Sequence, residues 1–369
     1  MAMEFQNVKS FADESPDLYK AMKQYTQEFI KGRKESTRAM AFSAGHSKEE
    51  MESLIDKEFA IELEKRAGSP KEFGAGKDGL ARWCNSSKTR EFANAIQDIT
   101  IDMILPDVLA TGMLPLIADI RTADIGDSIK FRIKNNQLFT VSKSGYRQKT
   151  TNLQRLFDSD VSMVGENHEV TIGANLFDIR TGKYSFAENT IKVALSIEAT
   201  MYNEAVDAFY TSMNALSGNL AVANYTETSL LKLCETVSAW NGGRKAVIVG
   251  TPVALKSVVP TNNNYRYDLE SIYVKAGAIQ TLDGYDVIPM EQIAKLGSTT
   301  YELKLDDTKI YVVSPASDKI VKLGLFGGTI THTDGTYDNA NKSITNTTEK
   351  AWNVAVITNS VGGVVKALS

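Results

Sequence analysis

The chain has 369 residues, of which 43% are hydrophobic and 23% charged, and its formal net charge is −4. This length exceeds what one hydrophobic core usually sustains, and the composition excludes a disordered or fibrous chain, so two or more folded lobes are expected. The acidic balance argues against a dedicated DNA-binding protein, in which the whole domain is usually basic. We find no secretion signal and no apolar stretch of bilayer length, which predicts a protein without a membrane partner that stays in the cytoplasm or leaves it by a route other than secretion.

Two amphipathic helical patterns precede residue 90. The first consists of Leu18, Met22, Tyr25 and Phe29, which recur at three- and four-residue spacing. The second runs over residues 51–63 and follows Ser47, with Glu50 three positions later as a capping box. Polar segments rich in small residues join the two patterns. The sequence therefore predicts helices strung on an arm, not a compact domain, whose apolar stripes would be buried on a neighbouring copy or on the long helix predicted further along the chain.

A change of period marks the start of a predicted hairpin. Residues 91–116 are apolar, are broken by Pro106 and Pro115, and predict a helix that runs into the protein body. From residue 128 apolar and basic residues alternate, as in a half-buried strand. We interpret residues 126–179 as a long, twisted β-hairpin with a polar tip. Two strands of ~10 residues reach ~33 Å, which is too far for a hairpin lying wholly on its own domain.

The predicted hairpin contains a basic segment, residues 128–157, which has no Asp or Glu. Its seven cations are Lys130, Arg132, Lys134, Lys143, Arg147, Lys149 and Arg155, which leaves about −11 for the rest of the chain. The segment could bind nucleic acid, with its aromatic residues stacking on bases. We favour the other interpretation, in which Ile129, Phe131 and Ile133 face a partner and the cations meet water or acidic neighbours. No second basic patch completes a groove for nucleic acid.

The strongest helical pattern covers residues 185–216, equivalent to a rod of ~45 Å, and stops at Gly218. Helix and strand patterns alternate after it. A helix is predicted at 226–240, a buried strand at 244–250, a turn with a short helix at 251–260, and a hairpin through Asp283 and Gly284. Further strands are predicted at 308–315, 319–328 and 351–368. The segment 331–350 is interpreted as a polar loop.

The sequence offers little catalytic chemistry. His46, His168 and His332 lie far apart in polar settings and are interpreted as solvated loop histidines. Cys84 and Cys234 lack metal-ligand spacing and are interpreted as incidental thiols. We expect no catalytic residue, metal or cofactor.

One glycine motif matches a nucleotide-binding pattern. Gly74, Gly76 and Gly79 satisfy GxGxxG, but no buried strand precedes them, so a flexible linker is the better interpretation.

The order of these patterns resembles a known family. An arm of helices, a long hairpin, a long spine helix, a small α/β lobe and a returning strand occur in the major capsid protein of tailed bacteriophages, the Hong Kong 97-like fold. ILPDVLATGMLPLIADIRTADIGDSIKF resembles the passage into that family's extended loop, and FAENTIKVALSIEATMYNEAVDAF resembles its spine helix. RKAVIVGTPVALKSVVP and KIYVVSPASDKIVKLGLFGG resemble its axial domain. The resemblance covers roughly residues 91–369.

The resemblance implies an α+β fold with five parts. These are an N-terminal helical arm at 1–120, an extended-loop hairpin at 121–183, a peripheral domain with the spine helix at 184–220, an axial domain at 221–335, and a return to the peripheral domain at 336–369. It also implies a structural subunit, not an enzyme, that forms the pentamers and hexamers of an icosahedral shell around double-stranded DNA. The basic segment would contact the next subunit in that shell.

Other partners and other functions follow from the same resemblance. A portal, and scaffolding or decoration proteins, would join the shell during assembly in the host bacterial cytoplasm, and packaged DNA would touch its inner face non-specifically. Alternative functions are an encapsulin-like compartment shell and a phage tail or baseplate component. An enzyme that uses the glycine motif is a further alternative of a different class.

Overall fold

Ten α-helices occur in the described part of the chain. A computed structural model describes residues 6–34, 48–111, 114–133, 159–172, 176–258, 280–290, 292–295, 297–314, 319–333, 346–356 and 360–368. The helices are α1 (Gln6–Glu14), α2 (Pro16–Lys34), α3 (Lys48–Ala67), α4 (Gly76–Cys84), α5 (Ser87–Thr111), α6 (Leu114–Ile117), α7 (Leu176–Arg180), α8 (Phe186–Asn214), α9 (Glu227–Trp240) and α10 (Pro252–Leu255). None of these described helices is both long enough and apolar enough to cross a lipid bilayer.

The strands form two sheets and one ribbon. They are β1 (Ala118–Ala123), β2 (Ile129–Ile133), β3 (Ser159–Met163), β4 (Glu166–Ile172), β5 (Ala221–Val222), β6 (Val247–Gly250), β7 (Thr281–Leu282), β8 (Tyr285–Pro289), β9 (Ile310–Val313), β10 (Val321–Thr333), β11 (Asn346–Val356) and β12 (Gly363–Val365). The first sheet has the order β1-β10-β11-β4, and the second has the order β5-β12-β9-β6-β8-β7. Among the described strands, β2 and β3 pair only with each other. The fold is therefore α+β, as predicted.

The long helix α8 joins the two sheets through one hydrophobic core. Its buried side chains, among them Ile197, Met201 and Phe209, belong to the same cluster as Leu323 of the first sheet and Val249 of the second. Ser185 begins the helix, because its side chain accepts a hydrogen bond from the backbone N–H of Glu188. The predicted spine helix is confirmed, with ends within two residues of those expected.

The small lobe after α8 also follows the prediction. Helix α9, strand β6 and the short helix α10 lie in the predicted segments, and Asp283 and Gly284 form the tight turn between β7 and β8. Both turn residues have positive φ, at 46° and 83°, which such a turn requires. A second hydrophobic cluster packs α9 and α10 against the far face of this sheet.

The N-terminal helices do not leave their apolar stripes unpartnered. Leu18, Met22 and Tyr25 of α2 are buried, and so are Ile55 and Phe59 of α3, all within the main hydrophobic core. The ring of Phe59 stacks on Phe186 at the start of α8, with the centroids 3.9 Å apart. Of the two expected sites of burial, a neighbouring copy or the long helix, the structure shows the second, and α5 is a further partner.

Asp56 of α3 provides a polar tie to α8. Its Oδ1 accepts hydrogen bonds from the backbone N–H of Phe186 at 2.8 Å and from Ser185 Oγ at 3.3 Å. Burial is the strongest influence and raises the pKa of this carboxyl, while these hydrogen bonds lower it and offset part of that effect. A carboxylate at a helix N-terminus also interacts favourably with the helix dipole, so α3 stabilises the start of the spine helix.

The predicted hairpin is only partly present. Strands β2 and β3 pair antiparallel, with Ile129 opposite Met163 and Ile133 opposite Ser159, which confirms its base. The tip lies outside the described residues. The expected return strand does not continue the ladder, because β4 pairs with β11 of the first sheet and residues 176–180 are helical. The interpretation of 126–179 as a single hairpin is therefore wrong beyond Met163.

The glycine motif is part of an ordered helical turn, not a linker. A 3₁₀ turn at Pro70–Phe73 precedes it, and Gly76 begins α4. A Cβ on Gly79 would collide with the carbonyl oxygen of Gly74, so this glycine allows two backbone segments to approach closely. No strand delivers the first glycine within the described residues 48–111, so the geometry of a dinucleotide site is absent there.

Candidate assembly surfaces

The β2–β3 ribbon covers the outer face of the first sheet. Ile129, Phe131 and Met163 are buried against Phe326 of β10. Gly324 and Gly165 make room for this contact, because a Cβ at either position would lie within 3.0 Å of the Phe326 ring. Ile129 and Phe131 were expected to face a partner subunit. That expectation is wrong for these two residues, since they face the chain's own sheet.

Two cations surround the buried ring of Phe131. The guanidinium carbon of Arg121 lies 4.5 Å from the ring centroid, and Nζ of Lys322 lies 5.7 Å from it. Both cations also contact Asp119, at 3.0 Å and 3.6 Å. Arg121 in addition donates a hydrogen bond to the backbone carbonyl of Lys130 at 3.1 Å. These contacts fix the base of the ribbon on the sheet.

The opposite face of β2 is basic and exposed. Lys130 and Arg132 alternate with the buried Ile129 and Phe131, which confirms the predicted half-buried strand. Arg132 lies directly opposite Asp160 of β3, a position from which side chains of opposite charge interact. The ribbon itself therefore supplies one of the acidic neighbours that the basic segment is expected to meet. The remaining predicted contact residues lie outside the described part of the chain: Lys134, Lys143, Arg147, Lys149 and Arg155.

Polar side chains on α5 form hydrogen bonds with the backbone of β10, in the position where a neighbouring strand would otherwise pair. Strand β1 ends opposite Phe326, so no described strand pairs with the second half of β10 on that side. There the backbone N–H of Thr329 donates to both oxygens of Asp102, and that of Thr331 donates to Asp98 at 3.0 Å. Two residues of strand span about 6.7 Å, and four residues of helix rise about 6 Å, so the two spacings match.

Lys350 completes this attachment at an irregularity in the sheet. The register between β10 and β11 shifts between Phe326 and Ile330, which leaves backbone groups without ladder partners. Nζ of Lys350 donates to the carbonyl of Gly327 at 2.9 Å and contacts Asp102 Oδ1 at 2.8 Å. Lys350 and Asp102 are buried. The ion pair therefore satisfies groups that the irregular strand cannot pair by itself.

Sequence reasoning missed this site. Residues 331–350 were interpreted as a polar loop, but the structure places both ends of that segment in β10 and β11. Residues 334–345 lie outside the described part of the chain. The available signal was the alternation of threonines at 329, 331 and 333, which is typical of a strand with one polar face.

Asp98 makes the attachment of α5 dependent on pH. Burial raises the pKa of this carboxyl to about 6, although its hydrogen bonds from Thr331 oppose the shift. A folded-state pKa above the unfolded value means that the folded protein binds this proton more tightly. The contribution of Asp98 to stability is therefore greatest at acid pH and is lost as pH rises through about 6.

We expect Asp98→Asn to gain about 1–1.5 kcal/mol of stability relative to the unchanged protein as pH rises from 5 to 7.5, because a carboxyl with a folded-state pKa of about 6 loses its proton over this range. The substitution removes the buried carboxylate that neutral pH would otherwise create. Urea unfolding of both proteins at the two pH values measures the difference. Asp286→Asn, at an exposed carboxylate on β8, is the control. A difference between the Asp98→Asn variant and the unchanged protein that does not vary with pH would contradict the prediction.

His168 is a strand residue, not a solvated loop residue as predicted. It lies on β4, stacks on Trp352 of β11 with ring centroids 3.6 Å apart, and has Nε2 3.4 Å from Glu204 of α8. The indole N–H of Trp352 donates to the same carboxylate at 2.7 Å. These contacts connect the edge of the first sheet with the spine helix. His332 is exposed at the end of β10, and His46 lies outside the described residues.

The two cysteines are separate, buried thiols, as predicted. Burial raises the pKa of Cys84 and of Cys234 to about 12. A thiol with such a pKa is almost entirely protonated near neutral pH, so neither residue is an activated nucleophile.

Several solved structures show a distant likeness to this chain. One is the mature capsid of bacteriophage PhiM1, with 12% identity, a TM-score of 0.45, and coverage of 70% of this chain and 87% of that chain. Another is the capsid of a native GTA particle, with 12% identity, a TM-score of 0.46, and coverage of 69% and 90%. The head of Helicobacter pylori bacteriophage KHP40 has 10% identity, a TM-score of 0.44, and coverage of 68% and 89%. At this level of similarity the likeness carries no weight for function.

The family comparison covers nearly the whole chain. Residues 21–366 match the sequence profile of a family of capsid proteins, which makes the chain a capsid protein by class. The family is the one described as "SPbeta prophage-derived putative capsid protein YonB", and the chain belongs to it. The predicted structural class is therefore confirmed. No curated protein matches the sequence.

Proposed function

We propose that copies of this chain assemble, as pentamers and hexamers, into the icosahedral shell that encloses the double-stranded DNA of a tailed bacteriophage. The observation that carries the proposal is the match to a capsid family over residues 21–366. Membership in that family favours a phage shell over an encapsulin-like compartment or a tail component. The order of ribbon, spine helix, α/β lobe and returning strand is the order expected of the Hong Kong 97-like fold.

The architecture suits a subunit that must keep its shape when neighbouring subunits bind to it. One core joins the N-terminal helices, the spine helix and both sheets, and polar ties such as Asp56 to α8 and Asp102 to Lys350 fix their relative positions. A shell closes through many small contacts repeated by symmetry, so small errors in subunit shape would accumulate. A rigid subunit limits those errors.

Sedimentation of the purified protein over a range of concentrations tests this proposal. A shell subunit is expected to convert from small species to particles of many subunits as its concentration rises. A protein that keeps the mass of one chain at every concentration, under conditions that promote assembly of other capsids, would contradict it.

The basic segment is proposed to hold the next subunit. Its exposed cations at Lys130 and Arg132 lie on the face of the ribbon that does not touch the chain's own sheet. The other five cations, from Lys134 to Arg155, extend the same segment. Individual exposed ion pairs contribute about 0–1 kcal/mol, but pairs repeated around a shell add up and also fix register. The acidic partner would be another copy of this chain.

We expect reversal of Lys143, Arg147 and Lys149 to Glu to produce capsomers that do not join into shells. The altered charges would repel the carboxylates that the original cations attract. Sedimentation and electron microscopy of the variant would show the arrest, and a free-DNA binding assay on the same sample distinguishes the alternative. Loss of DNA binding with normal shell formation would show that the segment serves nucleic acid instead.

The remaining partners follow from the proposed shell. Assembly would take place in the host bacterial cytoplasm, with a portal and with scaffolding or decoration proteins. Packaged DNA would contact the inner face of the shell without sequence preference.

A further inference from the structure

The connection between β8 and β9 carries an exposed aromatic side chain in an unfavourable backbone conformation. Tyr301 has a φ of 57°, and its side chain is 97% exposed. A left-handed φ brings the Cβ of a residue close to the backbone, so it is uncommon for residues other than Gly, Asn and Asp. Among the described non-glycine residues only Asp283 shares a positive φ, and the tight turn between β7 and β8 accounts for it.

Hydrogen bonds hold this connection in one shape. Residues 293–295 and 302–304 pair as the arms of a hairpin, in which the N–H of Lys295 donates to the carbonyl of Glu302 and that of Lys304 donates to the carbonyl of Ile293, both at 2.9 Å. At the tip, Ser298 Oγ accepts from the N–H groups of Thr300 and Glu302 at 3.3 Å and 3.2 Å. These two donors lie on either side of Tyr301, so the hairpin imposes its conformation.

The hairpin is also fixed to the rest of the protein. Lys304 Nζ contacts Asp207 of the spine helix at 2.7 Å, and the N–H of Asp306 donates to the hydroxyl of Tyr210 at 3.1 Å. The Tyr301 ring is therefore presented from a rigid support. Its backbone conformation costs the isolated chain free energy and buries no apolar surface in return.

We propose that Tyr301 is an assembly contact whose ring packs against a second copy of this chain. The proposal rests on the proposed function and adds a specific contact to it. A tyrosine on a rigid support supplies a large contact area at low cost in conformational entropy, which is why tyrosine is enriched at interface hot spots. Leu303, two residues further along the same hairpin and 57% exposed, adds apolar surface. A capsid subunit has copies of itself as its lateral neighbours, which identifies the partner.

The test compares Tyr301→Gly and Tyr301→Asn with Asp283→Gly. Glycine and asparagine accept positive φ, so both Tyr301 variants are expected to unfold at the same temperature as the unchanged protein or roughly 1–2 °C higher. Both should also need at least about tenfold more protein to form particles, because the ring contact is lost. Asp283→Gly relaxes the other positive φ without removing a ring, and its particle formation should match the unchanged protein.

Tyr301→Phe retains the ring and is expected to form particles within about threefold of the normal concentration. Normal particle formation by Tyr301→Gly and Tyr301→Asn would overturn the proposal. An equal defect in Asp283→Gly would also overturn it, because loosening of a loop would then be the cause. If the unchanged protein forms no particles, the proposed function fails, whereas particles from the unchanged protein and from both Tyr301 variants would overturn this inference alone.

Discussion

Replacement of Lys350 by methionine is expected to lower the free energy of unfolding by about 3–5 kcal/mol. The side chain of Lys350 is fully buried and that of Asp102 is 1% exposed, with Nζ 2.8 Å from the carboxylate. Methionine would fill much of the space but would leave the Asp102 charge buried without a counter-ion and the carbonyl of Gly327 without its donor. Urea unfolding of the purified subunit, under conditions that prevent assembly, measures the loss.

Two further variants identify the cause of that loss. Lys192→Met breaks an exposed ion pair with Glu188 of the same helix, at 2.8 Å, and is expected to cost about 0.5 kcal/mol or less. Asp102→Asn in the Lys350→Met background should recover part of the stability, because the neutral amide needs no counter-ion. A Lys350→Met variant as stable as Lys192→Met would show that the buried pair does not hold α5 on the sheet.

Truncation of Phe209 to alanine is expected to cost about 3–5 kcal/mol. Phe209 is fully buried on α8, and its ring meets Tyr311 of β9 edge to face, with centroids 5.2 Å apart. The ring of Tyr210 stacks on the same tyrosine. The truncation would remove the transfer free energy of the ring and leave a cavity where the spine helix meets the second sheet.

Phe73→Ala provides the control for this truncation. Phe73 lies in the 3₁₀ turn before α4 and is 37% exposed, so its loss is expected to cost less than about 1.5 kcal/mol. Thermal and urea unfolding of both variants give the comparison. Equal costs for the two truncations would mean that the junction between α8 and β9 is not tightly packed.

The local sequence pattern was sufficient to predict an element where the partner of a residue lies nearby in sequence or where buried positions repeat regularly. The spine helix showed a continuous helical period and a Ser at its start, and the structure places it at Phe186–Asn214. Strand β2 showed alternation, and the turn at Asp283 and Gly284 showed its own dipeptide. In each case the residues that show the sequence pattern are the same residues that determine the local structure.

Local pattern failed where the partner lies far away in sequence. Lys350 was assigned to a polar loop, but its partner Asp102 is more than 200 residues earlier. The stripes of α2 and α3 could have been covered by a neighbouring copy or by the long helix, and nothing in their own sequence distinguished these two partners or indicated α5 as a third. Phe131 looked like an interface residue because nothing in its own strand indicated Phe326 as its neighbour. The sequence therefore predicted the elements better than their contacts.

This chain is proposed above all to be the subunit of a closed shell. Electron microscopy of the purified, assembled protein tests that claim most directly. We predict closed particles with icosahedral symmetry, in which the subunits are grouped in fives and sixes. Open tubes, single rings, or chains that stay separate under every assembly condition would contradict it.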